Sequence, residues 1–362
     1  MKTNLNIPGR MDAIREYQNG GGSVGAVFPI HYPRALLRAF NVLPVEVWGP
    51  PRVKTRYGAA HLQPYICSIV HNALSFLQAG GLEVADLLLV PHACDSLQGL
   101  GSILIDFASP RQPVLPLYLP RGRRPGDVDF LADELRSLYS RLEGITGRAP
   151  TRGKLMECVL REEAADQLLA ELHQRRQELA LTDVCLYRVL RSREYLPAER
   201  FIPLAQDAFQ GVGENGRGKK AIILSGIVPE PMSLFGAISE LGGVVVADDL
   251  ACCGRRLYPL GRNQEPFQRM AERLVHAPPD PTRGSPIPER LDHLLHLAEA
   301  SKAQGVVFYE VKFCEPELFD IPSLRSGLQE AGLPSLVIEV DINDPLSQRV
   351  FTRLEAFLEM IS

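Results

Sequence analysis

Short runs of consecutive apolar residues, separated by longer stretches of mixed polarity, recur along both halves of the chain. Within each run the residues do not alternate between apolar and polar, which is typical of strands covered on both faces of a parallel sheet. The pattern therefore predicts four strands in each half. They are Val24–Phe28, Val45–Trp48, Leu87–Val90 and Val114–Tyr118 in the first half, and Ala221–Leu224, Val244–Ala247, Val306–Tyr309 and Leu336–Val340 in the second.

Helical stretches alternate with these strands, so each half reads as a Rossmann-like βαβ unit. Between the halves, from Asp127 to Phe209, apolar residues recur at helical spacing and strand signals are absent. The glycine-dense segment Gly211–Gly218 indicates a linker. The predicted fold class is α/β, with two Rossmann-like parallel-sheet domains, residues 1–126 and 218–362, joined by a helical region, residues 127–217.

Composition narrows the class of protein. The chain has 362 residues, with 45% apolar and 23% charged residues, as expected for a globular protein of two compact domains. The formal net charge of -4 gives no electrostatic case for a nucleic-acid partner. No apolar stretch suits a signal peptide or a membrane helix, so we expect no membrane partner and a cytoplasmic location.

Two short basic loops stand out against the acidic net charge. They are Arg121–Arg124 and Arg217–Lys220. Loops of this kind either contact phosphate groups on a small ligand or simply face solvent, and the sequence leaves both alternatives open.

Three cysteines lie at places where a ligand could bind. Cys94 follows the predicted strand Leu87–Val90, and Cys314 follows Val306–Tyr309, while Cys67 precedes Cys94 in the first half. The carboxyl edge of an open parallel sheet is where ligands collect, so the three thiols could converge on one metal centre. Ferredoxin and zinc spacings are absent from the sequence, however, and a lone cysteine is often a small buried apolar residue.

The other four cysteines differ in how well their positions suit iron binding. Cys158 and Cys185 lie in the helical region, where packing in the core is the better interpretation. Cys252 and Cys253 follow a strand and an acidic pair at the sheet edge. A vicinal pair cannot easily place both sulfurs on one cluster, so Cys253 alone is kept as a weaker candidate iron ligand. Seven cysteines, an odd number, favour reduced thiols over a disulfide framework.

Polar residues beside the thiols are candidates for supporting roles. His92 stands two residues before Cys94, where it could act catalytically as a proton donor, or could simply be held by backbone groups at the strand end. Asp95 is expected to cap a helix that follows. Glu310 and Lys312 flank the approach to Cys314 and are expected to pair with each other.

Several short segments occur in the order seen in one protein family. They are Tyr65–Ser68, Val90–Ser96, Ser225–Pro229, Ala247–Leu250 followed by Gly254–Arg256, and Lys312–Pro316. Together they resemble the 2-hydroxyacyl-CoA dehydratase and benzoyl-CoA reductase subunit family, of the 2-hydroxyglutaryl-CoA dehydratase D-component type. The similarity covers nearly the whole chain, from Val24 to Asp341.

The resemblance implies a [4Fe-4S] cluster in the cleft between the two domains, held by Cys67, Cys94 and Cys314. Three thiolates leave one iron without a protein sulfur. In the family's dehydratases the thioester carbonyl of an acyl-CoA receives one electron, and the resulting ketyl radical anion expels the neighbouring hydroxyl. Benzoyl-CoA reductases transfer electrons into the aromatic ring instead.

The resemblance also implies partners for anaerobic metabolism. An ATP-hydrolysing iron–sulfur activator would supply the low-potential electrons, and a related second subunit or a second copy of the chain would complete a dimer. The two basic loops would contact the CoA phosphates. One alternative is an ATP-dependent reductase of small molecules with a double-cubane [8Fe-9S] cluster, which needs extra ligands. Another is a non-catalytic partner subunit for assembly or electron storage.

Overall fold

A computed structural model describes residues 5–50, 53–55, 58–211, 213, 216 and 218–361. Every predicted strand is confirmed, with ends that differ by a few residues. The strands are β1 Ser23–Val27, β2 Val42–Glu46, β3 Leu87–His92, β4 Val114–Tyr118, β5 Lys220–Gly226, β6 Gly243–Leu250, β7 Gly305–Val311 and β8 Ser335–Val340.

The strands form two parallel sheets of the same topology. The order is β2-β1-β3-β4 in the first sheet and β6-β5-β7-β8 in the second, and each pair of neighbours is parallel. In each sheet the chain runs from the first strand, β1 or β5, to a neighbour on one side of it and then to a neighbour on its other side. The carboxyl ends of β1 and β3, and of β5 and β7, therefore border the crevice where open α/β sheets bind ligands.

The predicted ends of a strand are most accurate where the strand is buried on both faces. All seven residues of β7 are buried, as expected for a central strand covered by helices on both faces. Strand β2 begins and ends earlier than predicted. It lies at the edge of its sheet and contains Pro44, which lacks an N–H group and is tolerated at an edge strand.

Helices cover both sheets and fill the region between them. Within the described residues they are α1 Arg10–Asn19, α2 Arg34–Ala39, α3 Ser68–Gln78, α4 Asp95–Ile103, α5 Asp127–Thr146, α6 Arg152–Gln174, α7 Asp183–Ser192, α8 Ala198–Ala208, α9 Ser233–Glu240, α10 Pro266–Val275, α11 Ile287–Ser301, α12 Glu315–Glu330 and α13 Gln348–Met360. Among the described residues, no helix is long and apolar enough to cross a membrane.

The region predicted to be helical is formed by α5 to α8, and α10 from the second half packs against α5. One cluster of buried apolar side chains runs through both sheets and these helices, and a smaller cluster lies between the second sheet and helices α11 and α12. The domain boundaries at residues 126 and 217 stay a prediction. Of the predicted linker, residues 212, 214, 215 and 217 lie outside the described residues.

Candidate functional site

The three cysteines predicted to bind iron share one structural position. Each immediately precedes a helix: Cys67 precedes α3, Cys94 precedes α4 and Cys314 precedes α12. Free N–H groups and the positive end of the helix dipole favour an anion at such a place, and they favour a thiolate over a thiol. Cys94 and Cys314 also follow the central strands β3 and β7 at the carboxyl edges of the two sheets.

The structure brings these cysteines together from both halves of the chain. The Ser68 N–H group donates to the Lys312 carbonyl oxygen at 3.3 Å, which joins the start of α3 to the loop before α12. The thiols of Cys67 and Cys314 lie close enough for a hydrogen-bond interaction between them to shift the pKa of each, and Cys94 lies close enough to interact electrostatically with Cys67. Three residues distant in sequence therefore face one another across the two sheets.

The three thiols differ in how readily they ionise. The hydrogen bond with Cys314 lowers the pKa of Cys67, and the N–H groups of Ile69 and Val70 lower it further. The same hydrogen bond, followed by burial, raises the pKa of Cys314. Cys94 keeps some exposed surface, but protein surrounds its sulfur, and this burial raises its pKa to about 12. Of the three thiols, Cys67 therefore gives up its proton most readily.

A reciprocal amide pair holds α3 in this position. Asn72 is fully buried, and its Nδ2 donates to Oδ1 of Asn343 at 2.8 Å, while Nδ2 of Asn343 donates back to Oδ1 of Asn72 at 2.8 Å. Asn72 lies on the helix that begins after Cys67, and Asn343 follows the last strand of the second sheet. The pair therefore holds α3, and with it Cys67, against the half of the chain that carries Cys314.

Buried polar atoms next to the thiols have no partner among the described residues. They are Oγ of Ser68 and both carboxyl oxygens of Glu310. In the part of the chain that the structure describes, no three His, Cys, Asp or Glu side chains are grouped to hold a single metal ion. A cluster makes a different demand, because each cysteine binds its own iron. Three thiols at helix N-termini beside unpartnered polar atoms fit such a group.

The expected pairing of Glu310 with Lys312 is wrong. Glu310 is fully buried without a hydrogen-bond partner in the described residues, and burial raises its pKa well above the usual range. The Lys312 ammonium group lies over the Phe313 ring instead, 5.1 Å from its centre. The strand end is too enclosed for the lysine to fold back, since all of β7 is buried.

Behind Cys314 lies a buried network of charges. Arg255 donates to both carboxyl oxygens of Asp249 at 2.9 Å and also to Glu317, which lies one turn into α12. Arg290 donates to the other oxygen of Glu317 at 2.9 Å. Fully buried charges are costly unless they are paired in this way, and the network fixes the first turn of the helix that Cys314 begins.

His92 lies apart from the thiols. Its ring packs edge-on against Tyr118, with centroids 4.7 Å apart, and an added Cβ at Gly101 would stand 2.8 Å from its Nε2. Gly101 lies about 10 Å along α4 from Cys94, at 1.5 Å per helical residue. Neither ring nitrogen has a hydrogen-bond partner among the described residues, so the backbone does not hold it. Its catalytic role stays a prediction.

The remaining cysteines lie elsewhere. Cys158 and Cys185 are buried in the apolar core, as predicted. Cys252 and Cys253 are buried with their sulfurs 3.5 Å apart, on the wall of a small cavity that none of the three converging thiols lines. Burial and the neighbouring Cys252 raise the pKa of Cys253. Iron ligation by Cys253 stays a prediction.

One of the two basic loops lies beside the thiols. Arg121 donates to the Asp95 carboxylate at 2.6 Å, directly after Cys94. Asp95 is the first residue of α4, and Cys94 takes the capping position expected for Asp95. In the other loop, Arg217 lies outside the described residues, and Lys219 and Lys220 lie at the amino end of β5, the opposite edge from the thiols.

A buried polar triad escaped the sequence reasoning. His31, after β1, lies between Tyr258 and Asp280, with its Nδ1 3.3 Å from the tyrosine hydroxyl and its Nε2 3.3 Å from the carboxylate. Ile30 and His31 both have positive φ, 82° and 52°, an unusual backbone for non-glycine residues. The only sequence signal was a histidine just past a strand end. Its partners are too distant in sequence to reveal the contact.

Most of the chain matches a protein-family model. The model described as "2-hydroxyglutaryl-CoA dehydratase, D-component" matches residues 29–361. The match begins just after β1 and includes the other seven strands, all three converging cysteines and the helical region between the halves.

Characterised relatives match along nearly their whole length. The chain is similar to the (R)-phenyllactyl-CoA dehydratase beta subunit of Clostridium sporogenes, with 23% identity over 95% of this chain and 93% of that protein. It is also similar to the (R)-2-hydroxyglutaryl-CoA dehydratase subunit beta of Acidaminococcus fermentans, with 21% identity over 96% and 95%. A benzoyl-CoA reductase subunit of Thauera aromatica shares 24% identity over 96% and 94%. These matches confirm the resemblance drawn from the short segments.

Proposed function

Since the chain belongs to the 2-hydroxyglutaryl-CoA dehydratase D-component family, we propose that it is an iron–sulfur subunit that transfers low-potential electrons to an acyl-CoA thioester. Relatives named as dehydratase and reductase subunits make the chain a subunit of an enzyme of this type. Cys67, Cys94 and Cys314 would hold a [4Fe-4S] cluster. The proposal rests on the meeting of these three thiols at three helix N-termini.

The chain's own residues would prepare this site. The first turns of α3 and α4 direct N–H groups at the sulfurs of Cys67 and Cys94, which favours the thiolates that iron requires. Buried side chains around Cys67 and Cys314 exclude water. A [4Fe-4S] cluster on three cysteines supplies one-electron transfer and leaves one iron without a protein sulfur.

Partner and substrate follow from the same proposal. Relatives named as beta subunits imply a partner subunit. The electrons would come from an ATP-hydrolysing activator, and the acyl-CoA would approach from the side of Arg121–Arg124, where Arg121 reaches the residue after Cys94. The mostly exposed guanidinium of Arg121, with 59% of its side-chain surface accessible, suits a phosphate contact.

Iron and sulfide analysis after anaerobic purification tests this proposal. We expect about four irons per chain in the wild type, and most of this iron should be lost in Cys94→Ala. Cys158→Ala is the matched control, because Cys158 is a buried core thiol on α6 and should keep the full iron content.

Two results would contradict the proposal. Iron content that is equal in the wild type and Cys94→Ala would remove Cys94 from the ligand set, and an iron-free wild type after anaerobic reconstitution would remove the cluster altogether. About eight irons per chain would favour the double-cubane reductase instead.

A further inference from the structure

A cleft of about 260 Å³ lies against one face of the first sheet, over the edge strand β2 and its neighbour β1. Val24 and Ala26 of β1 line it, and so do Val45 and Val47 at the end of β2. In each strand the two residues are two positions apart, so their side chains point to the same face. Ala26 pairs with Val45, which places the two sets side by side. None of the three converging thiols lines the cleft.

Two helices and a loop form the other walls of the cleft. Met11 and Ile14 come from α1, and Phe76 comes from α3. Leu82 and Ala85 come from the loop between α3 and β3. Ile14, Leu82 and Ala85 are at most 5% exposed, whereas Met11 is 44% exposed. The cleft therefore extends from the core to the protein surface beside α1.

Apolar side chains of the core keep accessible surface at this cleft. Val45 is 7% exposed, and Val47 and Trp48 are each 6% exposed, although all three belong to the main apolar cluster. Two other lining positions, Ala26 and Ala85, carry only a methyl group as side chain. Voids larger than a water molecule are few in protein interiors, so an apolar space of this size is a candidate binding site.

The charged groups at the cleft are already paired within the protein. Arg10 donates to the Glu46 carbonyl oxygen and to the Glu194 carboxylate, both at 2.6 Å. Arg191 donates to Glu194 at 2.7 Å and also to Glu230. Among the described residues that line the cleft, no buried polar side-chain atom lacks a hydrogen-bond partner. A charged ligand would therefore lose its hydration here without gaining a free partner.

We propose that this cleft binds an uncharged hydrocarbon group of about the size of toluene. Most of its lining is apolar, including the aromatic residues Trp48 and Phe76, so the ligand gains from leaving water and forgoes no hydrogen bond. An apolar cavity of about 150 Å³ is enough for benzene, so this larger cleft has room for toluene. The hydrocarbon is either a free compound or the apolar end of a longer molecule.

Calorimetric titration of the full-length chain, purified anaerobically, with toluene in a sealed cell tests the proposal. We expect one saturable site per chain. The emission of Trp48, the single tryptophan, should change with the same affinity, because Trp48 lines the cleft. Benzoate carries a charge on the same ring and should bind about tenfold more weakly or worse, because its carboxylate finds no free partner.

Ethyl phenylacetate separates the two sources of the ligand, since it carries the same ring on a longer uncharged chain. The cleft reaches the surface beside Met11, so a chain attached to the ring has a path to solvent. Binding tighter than that of toluene indicates the apolar end of a longer molecule. Weaker binding indicates a free hydrocarbon.

Variants assign the binding to this cleft. Ala26→Leu and Ala85→Leu should each weaken toluene binding about tenfold or more, because the added carbons occupy the cleft. Ala164→Leu is the matched control, since it adds the same carbons at an exposed position of α6 outside the cleft. Val45→Ala enlarges the cleft without overpacking, so it should keep toluene binding and bind naphthalene more tightly than the wild type. Urea unfolding checks that each variant is folded.

Three results would overturn the proposal: no saturable toluene binding by the wild type, equal affinity for benzoate, or wild-type affinity in both Ala26→Leu and Ala85→Leu. The readout needs neither iron nor electron transfer. Failure of the hydrocarbon site and failure of the proposed cluster would therefore be seen separately.

Discussion

At the scale of single residues, His31 carries an unusual combination of features. It is 1% exposed, has a left-handed backbone and lies between Tyr258 and Asp280. Burial and the charges of Arg283 and Arg256 lower its pKa to about 4, against the opposing pull of Asp280. Neutral histidine is therefore part of the native state, at the junction of the two halves.

Stability should fall in mild acid because of this histidine. Its folded pKa lies below the unfolded value of about 6.5, so unfolding takes up a proton, and its contribution is complete above pH 6.5 and is lost as pH falls toward 4. We expect this group to remove about 2 kcal/mol from the free energy of unfolding between pH 7 and pH 5.

Urea unfolding of the wild type and His31→Asn at both pH values isolates this contribution. Asparagine tolerates a left-handed backbone but does not titrate, so the variant should lose less stability between pH 7 and pH 5 than the wild type. Parallel losses in the two proteins would mean that His31 does not titrate differently on folding.

At the scale of elements, the site is an arrangement of helix starts. Helices α3, α4 and α12 begin at the three thiols, and α3 comes from the loop after an edge strand whereas α4 and α12 follow central strands. The position of α3 therefore depends on tertiary contacts. The pair formed by Asn72 and Asn343 is one such contact, because it joins α3 to the second half through two hydrogen bonds.

Removing either amide should leave the other without two of its hydrogen bonds, and Asn72 is fully buried. We expect Asn72→Ala and Asn343→Ala each to lower the free energy of unfolding by about 1–3 kcal/mol. The double variant should be less destabilised than the sum of the two, with a coupling of about 1 kcal/mol or more. Urea unfolding of the four proteins in the cycle measures this coupling, and additive losses would show that the two amides act independently.

At the scale of the whole molecule, one carboxylate joins the two halves. Glu46, at the end of β2, accepts hydrogen bonds from Arg256 of the second half and from Arg34, Tyr32 and Trp48 of the first. It is 2% exposed, so its charge is compensated by these partners and not by water. The Arg256 contact lies between residues that are far apart in sequence, so it helps to set the relative position of the two sheets.

Neutralising the Glu46 carboxylate should destabilise the contact between the two halves. Glu46→Gln leaves the buried charges of Arg256 and Arg34 uncompensated, and we expect a loss of about 3–5 kcal/mol in the free energy of unfolding. The single tryptophan, Trp48, donates to Glu46 at 2.8 Å, so its fluorescence reports on the junction directly. Glu178→Gln, at a surface pair, should cost less than about 1 kcal/mol. Equal midpoints for both variants would contradict this role.

The sequence by itself determined the strands and the class of fold. Buried central strands need apolar side chains on both faces, and this requirement is local, so runs such as Val306–Tyr309 revealed them. The position of Cys94 and Cys314 just past strands was equally local, since a strand end and the residue after it are neighbours along the chain. The burial of Cys158 and Cys185 could also be predicted, because both lie among apolar residues in helices.

Only the tertiary structure decided which of these residues meet. The ends of β3 and β7 lie in different sheets, so only the packing of the two halves brings them and the start of α3 together, and nothing in the local pattern encodes that packing. The direction of the His92 side chain along α4 could not be predicted either. A side chain's direction at a strand end depends on what packs over it. The contacts of His31 with Tyr258 and Asp280 join residues with large sequence separation. Such contacts form only when the two halves pack, so they leave no periodic signal in the sequence.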